Sequence, residues 1–104
     1  MTNTNFQDKV VKIIKKIPYG KVTTYGTVAI LAGMPRGARL VGGILHHSSD
    51  KYKLPWHRII NKDGYISTNC WNHIKDEQKA LLLDEGIQVS GDFMINLKVY
   101  GWWG

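Results

Sequence analysis

The sequence predicts a mainly α-helical domain built around a helix-turn-helix. Apolar residues recur at helical spacing in several segments, and turns containing glycine or proline separate these segments. The chain has 104 residues, a length that accommodates one packed domain and hardly more. We therefore expect a single domain spanning residues 1–104.

The first helix is predicted from about Asn5 to Lys16. Its N-terminus has the pattern of a capping box, with Thr4 as the N-cap and Gln7 at the third helical position. The turn Pro18-Tyr19-Gly20 ends the helix. Apolar side chains recur along it at helical spacing: Phe6, Val10, Ile13, Ile14 and Ile17.

Two further helices form the predicted helix-turn-helix. Thr23 or Thr24 can cap the second helix, and Gly33 ends it. Pro35 suits the first position of the third helix, which we expect to end near His47. Two short helices joined by a glycine-containing turn fit this motif. The inward-facing residues are Tyr25, Val28, Ala29 and Ala32 on the second helix and Ala38, Val41, Ile44 and Leu45 on the third.

The second half of the chain has weaker signals. Residues 48–72 are predicted to be irregular, with short extended pieces at 58–61 and 64–67. A last helix is predicted over Ile74–Asp84, with Leu81 and its neighbours packed inward and Glu85-Gly86 closing it. The tail from 87 to 104 has no clear pattern, but its aromatic residues are expected to pack on the body: Phe93, Tyr100, Trp102 and Trp103.

Composition limits the possible functions. A formal net charge of +6 and a pI near 9.6 suggest a polyanionic partner, DNA or RNA, although a solvated basic surface has the same composition. The longest apolar run, Val28–Ala32, is too short to span a membrane, and the N-terminal residues lack a secretory signal. The single cysteine, Cys70, cannot form an internal disulfide. We therefore expect a reducing, cytoplasmic location, associated with the nucleoid if the source is bacterial.

The third helix is the candidate contact with nucleic acid. The three arginines of the chain, Arg36, Arg39 and Arg58, fall within one short stretch. Gly42 and Gly43 each cost about 1 kcal/mol inside a helix, which close packing of another protein element or close approach of DNA can offset. Arg39 would project from a surface of small residues as a peg that can enter a groove or replace a displaced base, unless it is an ordinary surface arginine.

Four stretches together resemble the C-terminal domain of the O6-alkylguanine-DNA alkyltransferases. They are Ile17–Gly26, Ala38–Gly43, Pro55–Ile60 and Glu85-Gly86, in the family's order and at its spacing over about 80 residues. The resemblance implies a small winged-helix-like fold. The family's motif is Pro-Cys-His-Arg, whose cysteine accepts the alkyl group, but this chain has Pro55-Trp56-His57-Arg58. Tryptophan has no nucleophile for that displacement, so the chain looks like the alkyltransferase-like proteins.

The resemblance also implies roles for individual residues. Arg39 would be the finger that enters the base stack, and Tyr25 would crowd the 3′ phosphate. His57 and Glu85 would form a structural hydrogen-bond pair, because there is no cysteine for them to activate. The expected lesion pocket comprises Tyr25, Trp56, His57, Arg58 and Ser67. The expected DNA-binding face comprises Thr24, Tyr25, Arg36, Gly37, Ala38, Arg39, Leu40 and Gly43. Ser48-Ser49 replaces an Asn-Pro step of the family, which leaves the bracing role of Ser48 open.

The implied function is binding without catalysis. The chain would flip O6-alkylguanine out of double-stranded DNA, hold it without alkyl transfer, shield it from alkyltransferases and present it to nucleotide excision repair proteins. We expect a monomer that needs no cofactor and no metal and has no membrane partner.

Three alternatives remain open from the residues. Cys70 could accept an alkyl group, although it lies outside the motif and has no paired base. The helix-turn-helix could belong to a sequence-specific regulator, although the third helix offers few polar base readers and no dimerisation helix is evident. The histidines could bind a metal, although their spacing fits no standard pattern: His46, His47, His57 and His73.

Overall fold

The computed structural model describes residues 5–66 and 74–104. Within these ranges the helices are α1 (Phe6–Lys15), α2 (Tyr25–Leu31), α3 (Ala38–Tyr52), α4 (Lys75–Asp84) and α5 (Leu97–Tyr100), with a 3₁₀ turn at Trp56–Arg58. The strands are β1 (Thr23–Thr24) and β2 (Ile59–Ile60). The predicted fold class, mainly α-helical, is confirmed.

Helix α1 begins one residue later than the capping pattern suggests. Asn5 is the N-cap, and its side-chain oxygen accepts a hydrogen bond from the backbone nitrogen of Asp8 at 2.8 Å. The prediction of Thr4 as the cap is therefore wrong, because asparagine caps at least as well as threonine and already fills the role. The buried face of α1 comprises Val10, Val11 and Ile14.

Helices α2 and α3 form the helix-turn-helix. Thr24 is the N-cap of α2, and its hydroxyl accepts from the backbone nitrogen of Thr27 at 3.1 Å. At the other end Gly33 has a φ of +86°, and its neighbour Met34 donates back to the carbonyl of Ala29 at 2.9 Å. This is a Schellman ending, in which glycine adopts the left-handed conformation without strain.

The boundaries of α3 differ from the prediction at both ends. Pro35 lies in a turn closed by a bond of 2.8 Å from Gly37 nitrogen to Met34 oxygen, and the helix starts at Ala38. Proline fits the second position of such a turn as well as the first position of a helix. The helix continues to Tyr52, five residues beyond the predicted end at His47.

A two-residue parallel pairing places the Pro55–Ile60 stretch beside the start of α2. Thr23 is in register with Ile59, and Thr24 with Ile60. Successive strand residues point in opposite directions. Ile59 accordingly packs in a core formed with α1, α2 and α3, whereas Ile60 packs in a second core with α4 and the C-terminal segment.

The C-terminal half packs around the second core. Helix α4 buries Gln78 and Leu82, while Leu81 is only partly buried, so of the leucines predicted to pack inward it is the neighbour Leu82 that is fully buried. The C-terminal segment is fixed by backbone bonds from Val22 nitrogen to Tyr100 oxygen and from Trp102 nitrogen to Val22 oxygen.

The predicted packing of the tail aromatics is correct for three of the four side chains. Phe93 and Tyr100 pack on the second core, and Trp102 packs on the first. Trp103 is 55% exposed, since its ring lies against the backbone of Gly101 at the surface and not in either core. No helix in the described part of the chain combines the length and apolar character needed to cross a membrane.

Candidate nucleic-acid interface

The Pro-Trp-His-Arg motif forms the 3₁₀ turn between α3 and β2. Trp56 is partly buried against the first core and meets the ring of His57 edge-on, with centroids 6.1 Å apart and an angle of 86° between the rings. Pro55 precedes the turn, and its carbonyl accepts from the backbone nitrogen of Arg58 at 3.0 Å. The turn therefore presents three consecutive side chains from one rigid segment.

A single carboxylate, that of Glu85, holds this turn in place. Its Oε2 lies 2.5 Å from Nε2 of His57, and Nε of Arg58 donates to both carboxylate oxygens at 3.0 Å. Its Oε1 also accepts from the backbone nitrogen of Gly20 at 2.8 Å. Arg58 extends the network by donating from Nη1 to the carbonyl of Ile17 at 2.9 Å. Three of the four stretches that carry the family resemblance thus meet at one side chain.

The environment of Glu85 fixes its charge. Burial raises the pKa of this carboxyl, but hydrogen bonds from Arg58, the Gly20 nitrogen and His57 lower the pKa by more, so the net pKa lies below the ordinary value. The carboxylate is therefore ionised near neutral pH and can only accept hydrogen bonds. It follows that Nε2 of His57 donates its proton to Glu85, which fixes the orientation of the imidazole.

The exposed face of α3 carries the predicted finger. Arg39 is exposed, and the side chain of Leu40 beside it is 55% exposed. A Cβ placed on Gly43 would meet no atom within 4 Å, whereas one on Gly42 would lie 3.9 Å from the ring of Tyr25. Gly42 is partly buried and faces α2, whereas Gly43 faces open space. Tyr25, at the start of α2, is half-buried against this junction.

Two residues predicted on the DNA-binding face are buried instead. Thr24 is only 5% exposed, and its hydroxyl is occupied in capping α2. Gly37 precedes α3, and a Cβ there would lie 3.0 Å from the carbonyl oxygen of Met34, so its small size serves an internal turn. Arg36 is exposed in that turn, and Ala38 is partly buried as the first residue of α3.

The remaining predicted residues have different outcomes. Ser67, Cys70 and His73 lie outside the described residues. Ser48 is 6% exposed within α3, where it extends the inward face of the helix. No group of three histidine, cysteine, aspartate or glutamate residues within 5–66 and 74–104 is arranged to hold a metal ion.

The described part of the surface includes a cavity beside the predicted finger and a larger one elsewhere. The first, of about 270 Å³, lies on the exposed side of α3 and is lined by three residues of the predicted DNA-binding face, Arg39, Leu40 and Gly43. Four residues that the sequence did not place on that face also line it: Gln7, Ile44, His47 and Ser48. The spacing of Arg39, Gly43 and His47, four residues apart, was an available signal for His47. A larger cavity, of about 590 Å³, lies among α4 and the C-terminal segment and contains none of the predicted site residues.

Comparison with known proteins identifies the family. Residues 5–87 match the family model described as the 6-O-methylguanine DNA methyltransferase, DNA binding domain. The chain belongs to this family. The match includes the helix-turn-helix, the Pro-Trp-His-Arg turn and Glu85, so it covers the whole network described above.

Within the family the chain is similar to proteins named for base flipping and for likeness to alkyltransferases. It is 46% identical to the DNA base-flipping protein of Escherichia coli K12 over 98 residues, 94% of this chain and 74% of that protein. It is 39% identical to Alkyltransferase-like protein 1 of Schizosaccharomyces pombe over 106 residues, 98% of each chain. The crystal structure of S. pombe Atl1 in complex with damaged DNA containing O6-carboxymethylguanine superposes with a TM-score of 0.85 over 98% of each chain. The resemblance to alkyltransferase-like proteins is thereby confirmed.

Proposed function

We propose that this protein binds O6-alkylguanine in double-stranded DNA by nucleotide flipping and holds it without removing the alkyl group. One observation carries the proposal. Trp56 stands where the family resemblance places the acceptor cysteine, while the two following residues, His57 and Arg58, are both bound by Glu85. On this basis the site would keep the family's framework without a group that reacts.

The relatives support lesion binding as the activity. The E. coli protein is named for base flipping, and the S. pombe structure contains damaged DNA with O6-carboxymethylguanine. This chain matches both along almost its full length, which supports the proposal that it binds DNA in the same way.

The chemistry of Trp56 explains why alkyl transfer would not follow binding. An indole offers an apolar face to an alkyl group, but it has no lone pair available for displacement at carbon. His57 already donates its Nε2 proton to Glu85, and no thiol adjoins it in the motif. The complex would therefore dissociate with the lesion unchanged, which makes binding reversible.

The exposed face of α3 would supply the flipping. Lysines attract the DNA backbone without regard to sequence, and the small surface at Gly43 lets the helix approach the minor groove. Arg39 would fill the space of the extruded nucleotide, and Tyr25 would press on its 3′ phosphate. Extrusion costs a few kcal/mol and less for a poorly paired base, so O6-alkylguanine flips more readily than guanine.

A long-lived complex at the lesion would have consequences for repair. The bound protein would exclude an alkyltransferase from the same base, and it would mark the site for nucleotide excision repair proteins. We propose that a single copy acts at each lesion, in the cell compartment that holds the DNA.

The finger variant Arg39→Ala tests the proposal. Two duplexes that differ only in O6-methylguanine against guanine are titrated in gel shifts at one salt concentration. We expect the variant to lose most of its preference for the methylated duplex, by about tenfold or more, since it cannot stabilise the extruded state. The matched control is Arg36→Ala, which removes an exposed arginine outside α3 and should weaken both duplexes equally. Unchanged binding by Arg39→Ala would show that Arg39 is not the finger.

A second measurement tests the absence of alkyl transfer. The protein is incubated with excess methylated duplex, and its intact mass is then determined. We expect the mass to stay unchanged. A methylated protein, at Cys70 or elsewhere, would show that the chain is an enzyme after all.

A further inference from the structure

The cavity beside the finger includes residues that the flipping role does not use, among them Gln7 and His47. Its volume is about 270 Å³, and we call it the α3 depression. It is lined by Arg39, Leu40, Gly43, Ile44, His47 and Ser48 of α3 and by Gln7 at the start of α1. Because α1 contributes to it, the depression extends the exposed surface of the helix-turn-helix onto a third helix.

Gly43 indicates that the depression receives something from outside the chain. A glycine inside a helix costs about 1 kcal/mol relative to alanine, and Gly43 lies in the middle of α3. Close internal packing can offset such a cost, but a Cβ on Gly43 would meet no atom within 4 Å. A Cβ there would instead project into the open space that Gly43 lines. The glycine therefore keeps the depression deep for an external group.

The lining matches one kind of group. Leu40 and Ile44 provide apolar walls, and the polar residues of the lining are Gln7, Arg39, His47 and Ser48. No carboxylate is among the lining residues of this cavity. Apolar walls suit a deoxyribose, and N–H donors without competing negative charge suit a phosphate oxygen.

We propose that the α3 depression binds the sugar-phosphate backbone of the DNA at a distance from the extruded nucleotide, with Gln7 and His47 donating to a phosphate. This inference rests on the proposed function, which places α3 on the duplex. His47 follows Arg39 by eight residues, which is about 12 Å along a helix. Base pairs rise by about 3.4 Å, so the contact falls within about four base pairs of the finger.

The contact would raise affinity without reading the lesion. Every nucleotide carries a sugar and a phosphate, so Gln7 and His47 would meet the same groups on damaged and undamaged duplexes. The ring of His46 stands edge-on to that of His47 at a centroid distance of 4.9 Å, which helps to orient the donor. Affinity and lesion preference would thus reside in separable parts of one surface.

The double variant Gln7→Ala/His47→Ala tests the contact. Binding to methylated and unmodified duplexes is followed by fluorescence anisotropy at one salt concentration. We expect both affinities to fall by about tenfold, as for loss of two hydrogen bonds of about 0.7 kcal/mol each, with their ratio unchanged. Gln88→Ala is the matched control, because Gln88 is also exposed but lines the other cavity. The thermal midpoints of all variants are compared to exclude a loss of folding.

A scan of the phosphates distinguishes this inference from the proposed function. Duplexes are prepared with a single neutral methylphosphonate at successive positions. We expect one position, within about four base pairs of the lesion, to weaken the wild type by about fivefold and the double variant much less. If each substitution weakens both proteins equally, the depression does not hold a phosphate, even where lesion preference is intact. If one methylphosphonate position weakens the wild type much more than the double variant, but the wild type does not prefer the methylated duplex, the backbone contact is supported and the proposed function is wrong.

Discussion

Replacing Gly43 by alanine should stabilise the protein and weaken its binding to DNA. The two effects have opposite signs because they depend on different features of the same position. Alanine is the better residue for a helix interior, and Gly43 lies within α3. The added methyl group, however, would occupy the surface that we assign to the duplex.

The size of the stability change follows from the structure. A Cβ on Gly43 meets no atom within 4 Å, so the substitution introduces no clash and the full helix preference of about 1 kcal/mol applies. The entropy of unfolding is about 2.1 cal/mol/K per residue, which for this chain makes 1 kcal/mol equal to a rise of about 5 °C in Tm. A methyl group inserted into a close interface costs about 1–3 kcal/mol, and we therefore expect binding to fall by at least fivefold.

Gly42→Ala is the matched control. It lies next to Gly43 in the same helix, but its Cβ would point at the ring of Tyr25 at 3.9 Å, an ordinary contact. We expect a similar gain in Tm with little change in affinity. Thermal unfolding by circular dichroism and binding by anisotropy give the two readouts.

Two results would contradict this view of α3. If Gly43→Ala binds DNA as tightly as the wild type, the surface at Gly43 does not approach the duplex. If the variant is less stable than the wild type, the space beside Gly43 is not open, and the glycine serves internal packing.

Other substitutions test the Glu85 network and the extent of the interface. Glu85→Gln leaves the partly buried Arg58 without its counter-charge and should lower the free energy of unfolding by about 3 kcal/mol at neutral pH, measured by urea denaturation. Because the pKa of Glu85 is lowered on folding, this stabilisation should be lost as the pH falls from the ordinary pKa of a glutamate carboxyl through the lower folded-state pKa. A variant with unchanged acid sensitivity would contradict the assignment. Asp50→Asn removes an exposed acidic group from α3, one turn beyond His47, and should tighten binding to damaged and undamaged duplexes alike by about twofold in low salt, whereas weaker binding would place the backbone elsewhere.

The helix-turn-helix could be predicted because its signals are local. Gly33 ends α2 at the predicted residue, and Thr24 caps it, since both roles depend on the conformation of a few neighbouring residues. The end of α3 could not be placed, because the serines and Asp50 after His47 are weak helix formers. Packing overrides that weakness, as Ser48 lies on the inward side of the helix and is buried.

The candidate site was accessible from the sequence only in part. The family resemblance indicated Arg39, Trp56 and the pairing of His57 with Glu85. It gave no sign that Glu85 also holds Arg58 and the backbone of Gly20, because those contacts depend on how distant turns meet.

Two wrong predictions of exposure and one missed residue have the same physical cause. Thr24 and Gly37 were predicted at the DNA surface, although local hydrogen bonding and packing bury them. Gln7 was missed, because a single polar residue on an amphipathic helix gives no hint that another helix will pass beside it. Exposure is a property of the assembled fold, and residue type alone predicts it poorly.

The most direct test of the proposed function compares two dissociation constants and measures the mass of the protein after binding. Wild-type protein is titrated into a duplex with one O6-methylguanine and into its guanine twin at the same ionic strength, and the protein is recovered from the first complex for mass determination. We predict a Kd at least about tenfold lower for the methylated duplex, equal to about 1.4 kcal/mol, and an unaltered protein mass. Equal Kd values, or a protein that has gained a methyl group, would contradict a non-reacting lesion binder with Trp56 in its pocket.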